Sequence, residues 1–101
     1  MIPTDRVPEH PGEILLEEFL RPLEMTQSAL AVHLGIPVQR INELVNGRRG
    51  VTAETAWMLG KAFGVGPEFW MNLQATHDLA AARRKGAGVR AVGRMPRASP
   101  R

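Results

Sequence analysis

Cysteine is absent from the 101 residues. Without it, neither a disulfide framework nor a thiolate metal site is available, and a cytoplasmic location is the natural expectation. No apolar run approaches the roughly 18–20 residues that a membrane span needs. The opening stretch, Met1 to Glu9, mixes proline with charge and does not read as a signal peptide. Runs of β-branched residues are missing too, so nothing reads as a strand. There is no glycine-rich phosphate loop and no Ser-His-Asp set. His10, His33 and His77 share neither a helix face nor a ligand spacing. Glu13, Glu17 and Glu18 cluster early in a helix, where its dipole favours acids without any acid–base chemistry. No catalytic residue, metal or cofactor is therefore expected, and the chain does not read as an enzyme.

Basic charge is present but unevenly placed. The formal net charge is +3, from 13 Lys and Arg against 10 Asp and Glu. Residues 83–101 hold seven of the bases and no acid, which leaves residues 1–82 with six bases against ten acids, a net of −4. Global charge thus makes no case for a polyanionic partner, and local placement has to. Between Thr26 and Lys61 there are four bases and two acids, a local +2 inside an acidic domain.

Punctuation divides the chain into five helices and predicts an all-α fold. Apolar residues make up 44%, enough for one modest core in a chain of this length. Pro11 opens a first helix, where its missing N–H costs nothing. That helix runs through Ile14, Leu15, Leu16 and Phe19, and Pro22 ends it near Arg21. Thr26 caps a second helix, Gln27 to Leu34, which Gly35 stops. Pro37 opens a third, ending at Asn46-Gly47. Thr52 caps a fourth, Ala53 to Phe63, closed by Gly64. Gly66-Pro67 starts a fifth that reaches Leu79 or Arg84. From residue 85 onward, Gly86, Gly88, Gly93, Pro96 and Pro100 alternate with arginines, a composition too poor in apolar groups to offset the entropy of ordering. The expected organisation is a flexible arm over 1–9, a folded unit over 10–84 and a disordered basic tail over 85–101.

The segment Gln27 to Gly47, QSALAVHLGIPVQRINELVNG, carries the functional signal. Two short helices meet across Gly35, which supplies the left-handed backbone of a sharp turn. Ala31 is small enough for them to cross closely. Ile36, Ile41 and Leu44 fill the angle between them. A glutamine, a small residue, a glycine and two apolar residues in this register fit a helix-turn-helix.

At about 100° per residue, Ile41, Leu44 and Val45 form the buried arc of the third helix. Gln39, Glu43 and Asn46 lie opposite, flanked by Asn42 and Arg40. An amide-rich face suits bases, because Gln and Asn bond adenine and Arg bonds guanine in the major groove. Glu43 either accepts from a cytosine amine or pairs with Arg40. Phosphate contacts fall to Gln27 at the start of the second helix and to Arg48 and Arg49 in a glycine-flanked loop. Thr52 and Arg40 are further phosphate candidates.

Three stretches resemble the XRE-type (Cro/repressor-like) helix-turn-helix group, and more narrowly the HigA-type antitoxins. They are HPGEILLEEFL (His10 to Leu20), the run from Thr26 to Gly64, and PEFWMNLQATHDL (Pro67 to Leu79). HPGE and PEFW-NLQ are the specific parts. The resemblance implies a five-helix Cro/repressor-like domain that forms a homodimer and binds its own double-stranded operator. It also implies that the protein neutralises a small basic RNase toxin, and it places Val38, Gln39, Asn42 and Glu43 against bases. Val38 lies on the buried edge by helical angle, whereas the resemblance exposes it to a thymine methyl. The Arg/Gly/Pro tail departs from the family. A stand-alone regulator with no toxin is the alternative function. A protein-interaction module that never meets DNA is another, and Gln39, Asn42 and the Arg48-Arg49 loop argue against it.

Two tryptophans divide between core and surface. In the fourth helix Ala56, Leu59, Gly60 and Phe63 make one buried arc, with Trp57 at its edge. In the fifth, Phe69, Leu73, Thr76 and Ala80 form a stripe beside Trp70. Met71, Ala75 and Leu79 form a second stripe at i, i+4, i+8. Two stripes on one helix suit either a dimer seam or a groove within the same domain.

Overall fold

The computed structural model describes residues 9–86, 88 and 91–96. Among them the order is α1 (Pro11–Ile14), a π-helical continuation (Leu15–Leu20), α2 (Gln27–Leu34), α3 (Val38–Val45), α4 (Ala53–Phe63) and α5 (Pro67–Lys85). The described residues hold no strand. The expected arm falls almost wholly outside the described residues, as does part of the expected tail. Lys85 belongs to α5, whose C-cap is Gly86 with φ 72°, so the helix extends just past the boundary expected at 84.

Local chemistry sets these ends. Thr26 accepts a hydrogen bond from the Ala29 N–H at 3.0 Å, and Thr52 accepts one from the Thr55 N–H at 3.3 Å. Each satisfies an otherwise orphaned first-turn amide. Gly35 turns α2 off with φ 73°, and the amides of Gly35 and Ile36 both close on the Ala31 carbonyl at 2.9 and 3.0 Å. Pro37 is the N-cap of α3 and not its first residue.

The π-helical widening of the first helix is a departure from the expected α-helix. Its cause is burial. Leu15 and Leu20 are both buried, yet five residues along an α-helix would set them about 140° apart. Bonds that span five residues, such as Arg21 N–H to the Leu16 carbonyl at 3.0 Å, bring the two leucines onto one side.

The core joins Leu15 and Leu20 to Leu30, Ala31, Ile41, Leu44, Val51, Ala56, Leu59 and Trp70. Phe19 lies 5.0 Å from Phe63 and 5.1 Å from Trp70 between ring centroids, which ties the first helix to α4 and α5. Trp70 is fully buried and Trp57 is 60% exposed, so Trp57 stands outside the α4 arc instead of at its buried edge. The inward side of α5 also differs from expectation. Thr76 is exposed, while Leu73, Gln74 and His77 are half-buried in line with Trp70.

Two contacts position α3. A Cβ on Gly12 would lie on top of the Leu44 carbonyl oxygen, so the start of α1 forms a close floor beneath the end of α3. His10 caps α1 by accepting from the Gly12 N–H at 2.9 Å, and its ring meets His77 of α5 edge-on at 5.0 Å.

Candidate nucleic-acid interface

With Ile41 and Leu44 in the core, α3 presents Val38, Gln39 and Asn42 outward. Val38 is 45% exposed, which resolves the two sequence readings in favour of an accessible methyl surface. Asn42 donates to the Gln27 side chain at 3.3 Å, so the amides of α2 and α3 join across the turn. Gln39 donates to Glu43 at 3.5 Å, the limit of a hydrogen bond. Asn46 bends back to the Asn42 carbonyl at 2.9 Å and caps its own helix.

Within the chain, Glu43 pairs with Arg49 and not with Arg40. Arg49 donates to it through Nε at 2.9 Å, and Arg49 Nη2 lies 2.8 Å from the same oxygen. The Arg49 bond holds the Glu43 carboxyl below the ordinary carboxylate range; Gln39 and the nearby charge of Arg48 act in the same direction. Arg40 turns the other way and faces Glu54 of α4 at 4.0 Å. The expected Glu43–Arg40 pairing is therefore replaced by Glu43–Arg49, because the backbone beyond α3 folds back. There the Arg48 N–H closes on the Glu43 carbonyl at 2.8 Å.

The structure thus brings Gln27, Gln39, Asn42, Glu43 and Arg49 into one polar surface, with Arg48 exposed beside them. Thr52 is exposed, but its hydroxyl is engaged by Thr55 in capping α4. Arg40 lies to one side. Sequence reading missed the residue behind the loop. Gln74 of α5 accepts from the Val51 N–H at 2.7 Å. Its signal was available, as a polar side chain four residues after Trp70 on the same helix face. Met71, Ala75 and Leu79 are all exposed, Leu79 by 72%, and so remain an uncovered apolar stripe. No group of three potential metal ligands occurs among the described residues. No described helix is long and apolar enough to cross a membrane.

This geometry has close counterparts among known proteins. Residues 16–70 match the helix-turn-helix family. A structure of an addiction module antidote protein of a HigA family from Coxiella burnetii superposes with a TM-score of 0.81 at 42% identity, covering 89% of this chain and 100% of that one. The chain belongs to the XRE-type helix-turn-helix family, in its HigA branch. The Pseudomonas aeruginosa antitoxin HigA, solved with the higBA promoter, superposes at a TM-score of 0.79 with 38% identity, over 85% of this chain and 96% of that one. Virulence-associated protein I of Dichelobacter nodosus is 47% identical over 70 residues, 69% of this chain. That match spans 65% of the relative's own length. The described residues have the all-α, five-helix architecture that the punctuation predicts.

Proposed function

We propose that the chain is an operator-binding repressor acting as a homodimer, and the antitoxin of a HigBA-type module. The observation that carries the proposal is the amide surface of Gln27, Gln39 and Asn42 on two crossed helices, edged by Arg48 and Arg49. Amide groups match the donor–acceptor pattern of adenine in the major groove. The flanking arginines and the start of α2 suit phosphate. Val38, Gln39, Asn42 and Glu43 take the bases. Gln27, Arg48 and Arg49 take the backbone, with Arg40 and Thr52 at the margins of the footprint. The solved complex of the related HigA with its promoter supports the operator-binding reading. No step of it requires an enzyme.

Residues 10–85 form the binding unit in this reading, and the basic tail raises attraction to any polyanion. The toxin in this reading is a small basic RNase. The test is fluorescence anisotropy with a duplex from the chain's own promoter and a scrambled duplex, each at two salt concentrations. Selective binding to the promoter duplex is expected at both. Equal binding to the two duplexes overturns the repressor reading. Co-purification of a small basic protein from the native host tests the antitoxin half, and its absence leaves a stand-alone regulator.

A further inference from the structure

The loop that carries Arg48 and Arg49 has little backbone support of its own. The Gly47 and Arg48 amides complete the end of α3, bonding to the Leu44 and Glu43 carbonyls at 3.1 and 2.8 Å. From Arg49 to Val51 no backbone–backbone hydrogen bond occurs among the described residues. Apart from the Arg49–Glu43 pair, what holds the backbone of that stretch is one side chain from α5, 23 residues away. Gln74 Oε1 accepts from the Val51 N–H at 2.7 Å. The same amide lies flat against Gly50, where a Cβ would come within 3.1 Å of Oε1. Its other end, Nε2, donates to the Asp78 carboxylate at 3.0 Å. The two partners together dictate the orientation of the amide, since an N–H needs an acceptor and a carboxylate needs a donor. Val51 is itself buried in the core, so the bond fixes where the loop leaves the domain.

We infer that Gln74 is the positioning residue for the phosphate-contacting loop, holding Arg48 and Arg49 at the height of the α3 surface through the Val51 amide. The inference rests on the proposed DNA binding and adds a residue that need never touch DNA. A backbone N–H at the edge of a core has a strong requirement for a partner, and Gln74 meets it without lengthening the loop. With the acceptor gone, the backbone from Arg49 to Val51 loses its hydrogen bond to the domain, and the Arg49–Glu43 pair remains as a side-chain tie. The arginines then reach phosphate from a distribution of positions, while the α3 amides stay where Gly12 and the core hold them. Gln74 therefore governs phosphate contact more than base choice.

The experiment compares the full-length wild type with Gln74→Leu, and with the paired exchange Gln74→Glu/Asp78→Asn. The pair reverses the polarity of the second bond and restores both, because the new carboxylate accepts from Val51 and from the new amide. Operator and scrambled duplexes are titrated across a salt series, with circular dichroism and exchange of the Val51 amide as controls. Gln74→Leu should weaken binding to both duplexes by about tenfold and reduce the salt slope by about one. It should leave the operator-to-scrambled ratio unchanged and speed Val51 exchange. The paired exchange should restore affinity and slope. A wild-type slope in Gln74→Leu with fast Val51 exchange overturns the inference while leaving DNA binding intact. If Gln74→Leu does not fold, a folded paired variant that still lacks the wild-type slope overturns it instead. A wild type with no salt-dependent DNA binding removes the functional reading and this inference together.

Discussion

Arg49 closes on Glu43 from six residues away, with Nη2 at 2.8 Å and Nε at 2.9 Å from one carboxylate oxygen. The pair places an acid in the middle of a surface proposed for a polyanion, and it occupies one of the two loop arginines. Both side chains remain partly exposed, so their attraction adds little to stability. Its consequence is for recognition. On the proposed reading, the carboxylate would repel phosphate where the amides do not fit bases, and a matched site would redirect Arg49 to the backbone. Glu43→Gln should therefore raise affinity for scrambled duplex, steepen the salt slope by about one and shrink the operator-to-scrambled ratio. Anisotropy titrations across salt check this, and an unchanged slope would mean that Arg49 never leaves the carboxylate's vicinity.

Gln39 is the opposite case. It is exposed on α3, and its only side-chain bond is the long contact with Glu43. Gln39→Ala should cost about 1–3 kcal/mol at its cognate base pair and relax selection there, with little change in salt slope. Titration against operators varied one base pair at a time locates that pair. A uniform loss across every variant would assign Gln39 to phosphate.

Gly12 tests whether the mounting of α3 matters as much as its face. A methyl group at this position would collide with the Leu44 carbonyl, which is backbone and cannot rotate away. Gly12→Ala should destabilise the fold by about 1–3 kcal/mol, in the range of overpacked sites. Operator affinity should fall further than that of scrambled duplex, because the tilt of α3 changes. Thermal melts and titrations of the same sample check both. A mutant with wild-type melting would show that the helices separate at no cost.

Much of this arrangement was legible in the residues because it is local. Thr26, Thr52, Gly35 and Gly64 end helices through their own side chains or backbone, so reading them in order places α2 and α4 to the residue. What escaped was decided by distant partners. The π-helical turns answer the need to bury Leu15 and Leu20 together. Gln74 and His77 share the inward face of α5 with Trp70, as spacing allows, but which partners meet them, Val51 and His10, no apolar stripe announces. Glu43 was open between a base and Arg40 in the sequence, and within the chain the fold of the loop gives it Arg49 in place of Arg40.

His10 gives the fold a pH dependence with a definite sign. Burial lowers its pKa from the ordinary 6.5, His77 lowers it further, and Asp78 opposes them. Glu13 and Glu17 line the same crevice, beside Asn46 and Gly47. In the folded chain Nδ1 must stay unprotonated to accept from Gly12. The unfolded chain therefore takes up the proton first. The cap's contribution is complete above about pH 6.5 and is lost as the pH falls through the lower folded value. Urea melts from pH 8 to pH 5 should show stability falling toward acid. His10→Asn, which keeps a capping oxygen without titrating, should flatten that slope. Equal slopes in the two proteins would assign the acid loss to another group.

The assembly prediction rests on α5. Met71, Ala75 and Leu79 stand on one side of the helix, exposed, while Trp70, Leu73 and Gln74 face inward. An apolar stripe left uncovered on a helix that also has a complete buried side is where the proposed homodimer is expected to close. One helix-turn-helix offers few phosphate and base contacts. Two related by a two-fold axis place their third helices in successive major grooves, about 34–36 Å apart, and demand an inverted-repeat operator. Leu79→Glu puts a charge into the proposed seam, at a cost of several kcal/mol if that seam is dry. Since Leu79 is 72% exposed in the single chain, the substitution should leave helix content and monomer folding unchanged. Sedimentation should then show monomers, and operator affinity should fall while binding to a single half-site persists. An intact dimer in the mutant would move the interface to another surface, with the first helix or the N-terminal arm as the next candidates.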